Sequence, residues 1–519
     1  MSPRPALARA VVVLAFAALA VLYYYRLGDS PIYLAHDEAM FGVVSHEIAW
    51  HARDLDGQFL PLMMPMGGVY WNMPVHVYLT AAAVRILGTT ETAIRASSAT
   101  ASLLSVFFLY VFARRVFRHR GFAMLAAAAL ALSPAFFIDS RMSTDHHYPV
   151  LAIGLWLICL AKYFDEPRDL WLGLAGLSLG AGLYTYGASV LVMPIYAALT
   201  AFVLLRSRVF AVRPYVVFAA AFGIAVLPFA VFLLRHPGYI GDVANMYKVY
   251  DAKRFGVLQG AHELLGWTSL GARADVFFSY FNPSMLFFSG AGSLVQSTRN
   301  AGFFLVPLLI LLPWAIVVVL KRDAEWYAWL ALVAFVATPL AASIVDERGA
   351  VQRVISLAPF GAILVAYLAM RVSIDRRVWI RGVLWVLVAI MPIAFARFYA
   401  DYLGDYRQRS SGYFEQNVRG ALESAIDEAR DHPTTEICLS RGINPLVDWY
   451  WKFYLRKHAA EPLASRTILF DTPGDARNRC APGNVMVSEI AACDQIAATR
   501  ATAPKKITEP NGSPSFCVW

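Results

Sequence analysis

Long apolar runs separated by short polar stretches fill the first three quarters of the chain. Runs near the length that crosses a bilayer, about 20 residues, lie at 8–25, 96–113, 121–138, 147–164, 170–186, 188–205, 214–234, 301–320, 324–344, 350–370 and 378–397. The pattern predicts eleven spanning helices. Residues 74–88, PVHVYLTAAAVRILG, are also apolar and helical but short, and they carry His76 and Arg85. That combination predicts a helix lying along the membrane interface. From 398 onward no spanning run remains, and Asp, Glu, Arg, Pro and Asn become frequent. There GYFEQNVRGALESAIDEARDH reads as a surface helix, and TEICLS, TILF and VMVSEI read as short buried strands. The predicted fold is a polytopic α-helical membrane domain over 1–397, with interfacial helices, and a small soluble α/β domain over 398–519.

Composition narrows the class. The 519 residues are 58% hydrophobic and 16% charged, against about 25% charged in soluble chains, and mean hydropathy is +0.52. A soluble enzyme, a disordered regulator and a fibrous repeat are excluded. The net charge of +9 comes from clusters between the runs: Arg114, Arg115, Arg118 and Arg120; Arg206, Arg208 and Arg213; Lys321 and Arg322; Arg371, Arg376 and Arg377. The positive-inside rule places all of them in the cytoplasm if the 74–88 helix does not cross. Loops 27–95, 139–146 and 235–300 then share the outer face with the C-terminal domain, as in a bacterial inner-membrane protein. The basic excess serves orientation and gives no sign of nucleic-acid binding. The first run has Arg4 and Arg9 ahead of it, like a signal peptide, but Tyr23–Tyr25 and the lack of a small-x-small site favour a retained helix.

Cys159 falls in a span, whereas Cys438, Cys480, Cys493 and Cys517 fall in the outer domain. Four thiols in an oxidising compartment allow two disulfides with three connectivities. Closeness in sequence favours Cys480 with Cys493. A zinc cluster lacks CxxC spacing, and free buried thiols are the remaining alternative.

The polar residues with chemical promise sit in the outer loops. His36-Asp37-Glu38 follows the first span closely. Acids at the membrane surface suit a general base that takes a proton from a hydroxyl, and they equally suit the N-terminus of the helix that follows. Arg141, Asp145, His146 and His147 crowd the second loop. Asp145 with His146 is the pair that would hold a metal, if any, and Arg141 suits a phosphate; an Arg141–Asp145 ion pair anchoring the loop is the plain alternative. Arg299 stands before the span at 301, and Arg353 lies a turn inside the next-to-last span, where an anion is its natural partner. P-loop, GxSxG, HExxH and Rossmann motifs are absent.

Several stretches together resemble the GT-C class of membrane glycosyltransferases. They are HDE after the first span, YWNMPVHVYLTAAAVRILG, RMSTDHHYPV, FNPSMLFFSG…TRNAGFFLVP, VQRVISLAPF and DY…YFEQNVRGALESAI. The likeness is to the dolichyl-phosphate-mannose protein mannosyltransferases and the bacterial lipid A aminoarabinose transferases, and it spans most of the chain. It implies a GT-C-like fold, a polyprenyl-phosphate sugar donor and a lipid, glycan or protein acceptor. It also implies an inverting reaction on the extracytoplasmic face, with Asp37 as base beside Glu38. Asp145, His146, Arg141, Arg299, Arg353, Tyr70 and Asn72 become substrate contacts. One departure stands out: those relatives often carry Glu-Lys before a Pro-Pro pair, where this chain has Trp71-Asn72-Met73-Pro74. No cofactor is certain, and a divalent metal stays open. A transporter or flippase of lipid-linked glycans is the alternative function, and a non-catalytic scaffold is a third.

Overall fold

A computed structural model describes residues 5–66, 70–251, 256–321, 323–432, 434–498, 500 and 502–519. The chain begins with α1 (Pro5–Tyr24), α2 (His36–His51), a hairpin of β1 (Met64–Met66) and β2 (Tyr70–Asn72), and α3 (Pro74–Leu87). The bundle continues with α4 (Glu91–Val116), α5 (Arg120–Ala131), α6 (Pro134–Asp139), α7 (Pro149–Asp165), α8 (Asp169–Gly182), α9 (Ser189–Arg206) and α10 (Val212–Arg235). Three short helices, α11 (Tyr239–Met246), α12 (Val257–Leu265) and α13 (Trp267–Ser279), lead to α14 (Leu308–Lys321), α15 (Trp326–Ala342), α16 (Ala358–Ser373) and α17 (Val378–Leu403).

Among the described residues, five helices are long and apolar enough to cross a bilayer: Glu91–Val116, Ser189–Arg206, Val212–Arg235, Val351–Ser373 and Val378–Leu403. Most of the other predicted spans exist as shorter apolar helices. Two predicted runs are interrupted. The 121–138 run breaks before Pro134, the first residue of α6, whose ring cannot continue α5. The 301–320 run becomes helical only at Leu308. Ahead of it, the Phe303 and Phe304 amides donate to the carbonyls of Met285 and Leu286 at 2.9 and 2.7 Å. These two acceptors lie in a π-turn over Ser284–Phe288.

Burial divides the helices. The Val351–Ser373 segment is the axis of the bundle, 89% of its apolar window being enclosed, whereas α10 and α17 are only 17% enclosed and present apolar side chains outward. The α8–α10 contact depends on Gly176 and Gly180. A Cβ on either would collide with Phe218 or Ala225 of α10, so the two backbones approach at a small-xxx-small seam.

The predicted basic clusters meet at one end of the bundle. Arg115 pairs with Asp165 at 2.6 Å, Arg213 pairs with Asp169, and Arg371 pairs with Glu325 at 3.4 Å. Arg206 lies over Trp329 and Lys162 over Trp171.

Beyond α17, which runs six residues past the predicted boundary to Leu403 because its apolar face continues through Phe398 and Tyr402, come α18 (Asp405–Ser410), α19 (Val418–Asp431) and α20 (Val447–Lys457). They accompany a five-stranded mixed sheet. Its strands are β3 (Ile437–Ser440), β4 (Thr467–Phe470), β5 (Val485–Glu489), β6 (Lys505–Thr508) and β7 (Pro514–Val518), in the order β4-β3-β5-β7-β6. Cys438 is in register with Ile468 and Met486 in the parallel half, and Cys517 with Ser488 in the antiparallel half. The disulfides join Cys438 to Cys480 and Cys493 to Cys517. The favoured Cys480–Cys493 pairing is therefore wrong: β3 and β7 each bring a buried cysteine beside one of the two. This unit is fastened to the bundle. Phe453 of α20 fills the space a side chain on Gly42 of α2 would need, Arg456 pairs with Glu47 at 3.0 Å, and Lys457 pairs with Glu91 at 2.8 Å.

Candidate functional site

At the end of the bundle opposite the basic clusters lies a cavity of about 460 Å³. Its acids and bases come from five separate elements. The start of α2 contributes His36 and Asp37, and the α6–α7 loop contributes Asp145 and His146. Tyr186 comes from the α8–α9 loop, Asp242 and Tyr247 from α11 and its end, and Glu347, Gln352 and Arg353 from the segment before α16. Asp37 and Asp145 thus face one chamber, although more than a hundred positions separate them.

The phase of α2 explains why Asp37 and not its neighbour does so. Asp37, Met40 and Phe41 line the cavity; they are spaced i, i+3, i+4 and share one face. Asp37 is half-exposed, with His36 Nε2 3.3 Å from its carboxylate. Glu38 is rotated by about 100° and is wholly buried. It accepts from Arg95 Nε at 2.8 Å, Arg95 Nη2 at 3.0 Å, the Ser143 amide at 2.8 Å and the Ala35 amide at 3.0 Å. Arg95 spends its remaining donors on the carbonyls of Leu27, Pro31 and Tyr33. A buried ion pair is tolerable only when satisfied this completely. Glu38 is therefore not a catalytic acid in this geometry. It clamps the first loop, α4 and the second loop together, so that Asp37 and Asp145 are held in register.

The second loop divides in the same way. Asp139 is buried and receives His146 Nδ1 at 3.2 Å and His147 Nδ1 at 3.0 Å. Burial opposes its ionisation, but the two imidazole hydrogen bonds and charges prevail and hold its carboxyl far below the usual range. Asp145 faces the cavity with its side chain 14% exposed, 3.9 Å from His146 Nε2. Burial pushes its carboxyl up to about 7, against the pull of His146 and with the support of Asp37. Burial alone would depress His146, yet the hydrogen bond and charge of Asp139, then the charges of Asp145 and Asp37, lift it to about 9. At neutral pH the cavity wall therefore presents an imidazolium beside a carboxyl poised to change charge.

Arg353 reaches the cavity as expected. Its Nε donates to Glu347 Oε2 at 2.7 Å, and its guanidinium lies 5.0 Å from the Tyr247 ring centroid. Asn72 also lines the cavity, with its amide against the Met66 sulfur. The Tyr70 side chain lies outside the described residues.

Two expected contacts are elsewhere. Arg141 is wholly buried and donates to the carbonyls of Leu22, Tyr23, Tyr25 and Ser30 at 2.7 to 3.3 Å. It closes the C-terminal end of α1, whose last carbonyls lack helical partners; these carbonyls take its donors, and it forms no ion pair with Asp145. Arg299 is exposed, with φ +60°; it donates to the Gly292 carbonyl at 2.8 Å and to the Tyr413 hydroxyl at 2.9 Å. It ties its loop to the C-terminal unit outside the cavity.

Sequence reasoning missed Asp139, Arg95, Tyr186, Asp242, Tyr247 and Gln352. Asp139 ends an apolar run, and a lone acid there was the available signal. The others belong to no motif. His146 Nδ1 is committed to Asp139, and among the described residues no group of three or more His, Cys, Asp or Glu side chains is arranged for a metal.

The profile of the family described as Dolichyl-phosphate-mannose-protein mannosyltransferase matches residues 72–233, from β2 through α10. The crystal structure of ArnT from Cupriavidus metallidurans bound to undecaprenyl phosphate is similar with a TM-score of 0.63 and 14% identity, covering 98% of this chain and 97% of that one. Apo ArnT from the same organism gives 0.58 at 14% identity, with 98% of each chain covered. No curated protein matches the sequence. The ArnT likeness establishes the GT-C fold over nearly the whole length, and with the five long apolar helices it describes an integral membrane protein.

Proposed function

We propose that the chain transfers a sugar from a polyprenyl-phosphate donor to an acceptor hydroxyl at the extracytoplasmic face of a bacterial inner membrane, with inversion. One observation carries the proposal: Asp37 and Asp145 share a single cavity with Arg353, at the end of the bundle away from the basic clusters. In this reading the predicted spans cross the bilayer, and the unit beyond α17 stands outside with the cavity.

Asp37 serves as general base. It takes the proton of the acceptor hydroxyl while that oxygen attacks the anomeric carbon. The bond from that carbon to the phosphate oxygen breaks, and its electron pair leaves with the polyprenyl phosphate. Arg353 and the His146 imidazolium face the charge that grows on the phosphate, and fixed donors at a developing anion lower the barrier. Asp145 orients the sugar through its hydroxyls. The lipid tail stays in the bilayer, so the reacting bond meets the site without extraction of the donor. A flippase would need polar groups continuing along the axis, whereas the axial helix α16 is apolar on its buried faces.

The test supplies purified protein with a panel of radiolabelled undecaprenyl-phosphate sugars and membrane-derived acceptors, comparing the wild type with Asp37→Asn. Transfer by the wild type and a loss of about 10²–10⁴-fold in the variant is expected for a general base. Equal turnover by the two removes Asp37 from the mechanism. Donor translocation into the opposite leaflet without transfer would replace the transferase by a flippase.

A further inference from the structure

A second hollow, of about 470 Å³, opens on the flank of the bundle. Its walls are Phe287 of the π-turn, residues 300–302 and 304–306, and the face of α17 that carries Ala394, Arg397 and Phe398. Asn300, Arg397 and Asp401 bring polar side chains to an otherwise apolar lining. Asp401 is satisfied: Arg409 Nη2 donates to its two oxygens at 2.7 and 2.9 Å, and Asn300 Nδ2 donates at 3.2 Å. Arg397 is different. It is exposed, and among the described residues it has no hydrogen-bond or ion-pair partner.

Depth sharpens the contrast. Helix α17 has 26 residues, about 39 Å at 1.5 Å each, and so overreaches a hydrocarbon core of about 30 Å. Arg397 stands six residues, about 9 Å, from the end at Leu403. That is head-group depth, on the side where the cavity opens. Below it the helix shows Val386, Ile390 and Ile393 outward. A guanidinium at that depth wants an anion, and its planar fork of donors fits phosphate oxygens. Asp401 would repel a phosphate, but Arg409 and Asn300 already occupy its oxygens.

We propose that this hollow binds an anionic membrane phospholipid, with the lipid phosphate on Arg397 and the first chain carbons against Phe287, Phe398 and Val306. The proposal depends on the chain being a membrane protein and not on the transfer reaction. The hollow also borders the cavity through one loop, since Gln296 lines the cavity and Asn300 lines the hollow. A lipid seated there braces the loop that forms part of the cavity wall.

The test uses the full chain in a neutral detergent, with dioleoylphosphatidylglycerol, dioleoylphosphatidylcholine or inorganic phosphate added, and reads lipid adducts by native mass spectrometry. Phosphatidylglycerol should bind the wild type and raise its Tm. Arg397→Gln should weaken that binding about tenfold, the loss expected for a charge-assisted hydrogen bond, while Arg381→Gln at the other end of the same helix leaves it unchanged. On the wild type alone, phosphatidylglycerol should protect Arg397 from modification by phenylglyoxal, so the proposal stays testable if the variant fails to fold. Equal phosphatidylglycerol binding by wild type and Arg397→Gln overturns the proposal, and so does absence of protection. Equal stabilisation by phosphatidylcholine removes the role of charge, and equal protection by inorganic phosphate removes the lipid.

Discussion

Each of the two loops that frame the cavity has one acid turned to the cavity and one turned inward, and the two pairs divide alike. In the first loop Asp37 faces the cavity and Glu38 faces inward to Arg95. In the second Asp145 faces the cavity and Asp139 faces inward to His146 and His147. The inward acids are fully hydrogen-bonded and fixed as carboxylates or ion pairs, and they hold the loops in place. The outward acids have few protein partners and so are free to act on a substrate. These four carboxylates are therefore two structural anchors and two groups that face the cavity, and helix phase or loop geometry decides which is which.

The first way to break this comparison is to exchange the consequences within a pair. Asp37→Asn should abolish transfer, by about 10²–10⁴-fold, with thermal stability hardly altered, because few protein groups lose a partner. Glu38→Gln should do the opposite. Removing one side of a buried ion pair costs about 3–5 kcal/mol, so this variant should show a large fall in Tm or expression. Thermal melts in detergent beside transfer assays separate the two. A stability loss from Asp37→Asn as large as that from Glu38→Gln would erase the distinction between adjacent residues.

How much of this was legible in the sequence follows from the same contrast. Hydropathy placed the helices, and charge clusters placed the basic end, because both signals are carried by whole segments. Loop order and resemblance brought out Asp37 and Asp145. The choice between Asp37 and Glu38 was hidden, since it depends on where α2 points and on Arg95, a lone arginine inside an apolar helix that carries no local pattern. Arg141 was read as a phosphate ligand because its type suits phosphate, yet the carbonyls at the end of α1 attract a guanidinium equally well. The disulfides followed strand order and not closeness along the chain. Tyr247, Asp242 and Glu347 meet at the cavity only through tertiary packing, and no spacing rule could have joined them.

The second loop offers a subtler break, through pH. Asp145 has its carboxyl raised to about 7 in the folded protein, above its value of about 3.9 in an unfolded chain. The folded state thus holds a proton that the unfolded state has released. The stabilisation from this group is complete below about pH 4 and is lost as pH rises through 7, with a slope of at most about 1.4 kcal/mol per pH unit. Relative to Asp145→Asn, the wild type should gain stability as pH is lowered from 7 to 4 and stop gaining below that. Asp139, whose carboxyl is held low, acts with the opposite sign: its contribution is present above its unfolded value and is lost only in strong acid. Melting curves of both proteins from pH 4 to 8 supply the check. Parallel curves would mean that Asp145 titrates as an ordinary surface acid and that the two acids of this loop do not differ.

The smallest effect concerns Arg353, the cavity cation that already has a partner. Glu347 accepts from its Nε at 2.7 Å, so an incoming phosphate must share the guanidinium with a carboxylate that is itself nearly half-exposed. Glu347→Gln removes the competing charge and keeps a hydrogen-bond acceptor. If Arg353 grips the donor phosphate, the variant should bind undecaprenyl phosphate more tightly. An exposed charge contact is worth about 0.2–1 kcal/mol, which is roughly a 1.4- to 5-fold change in Kd. Arg353→Gln should weaken binding instead. The pair of substitutions is decisive because the two act in opposite directions on one measurement: if Glu347→Gln also weakens binding, the ion pair is part of the binding surface, and Arg353 belongs with the anchors and not with the reactive groups.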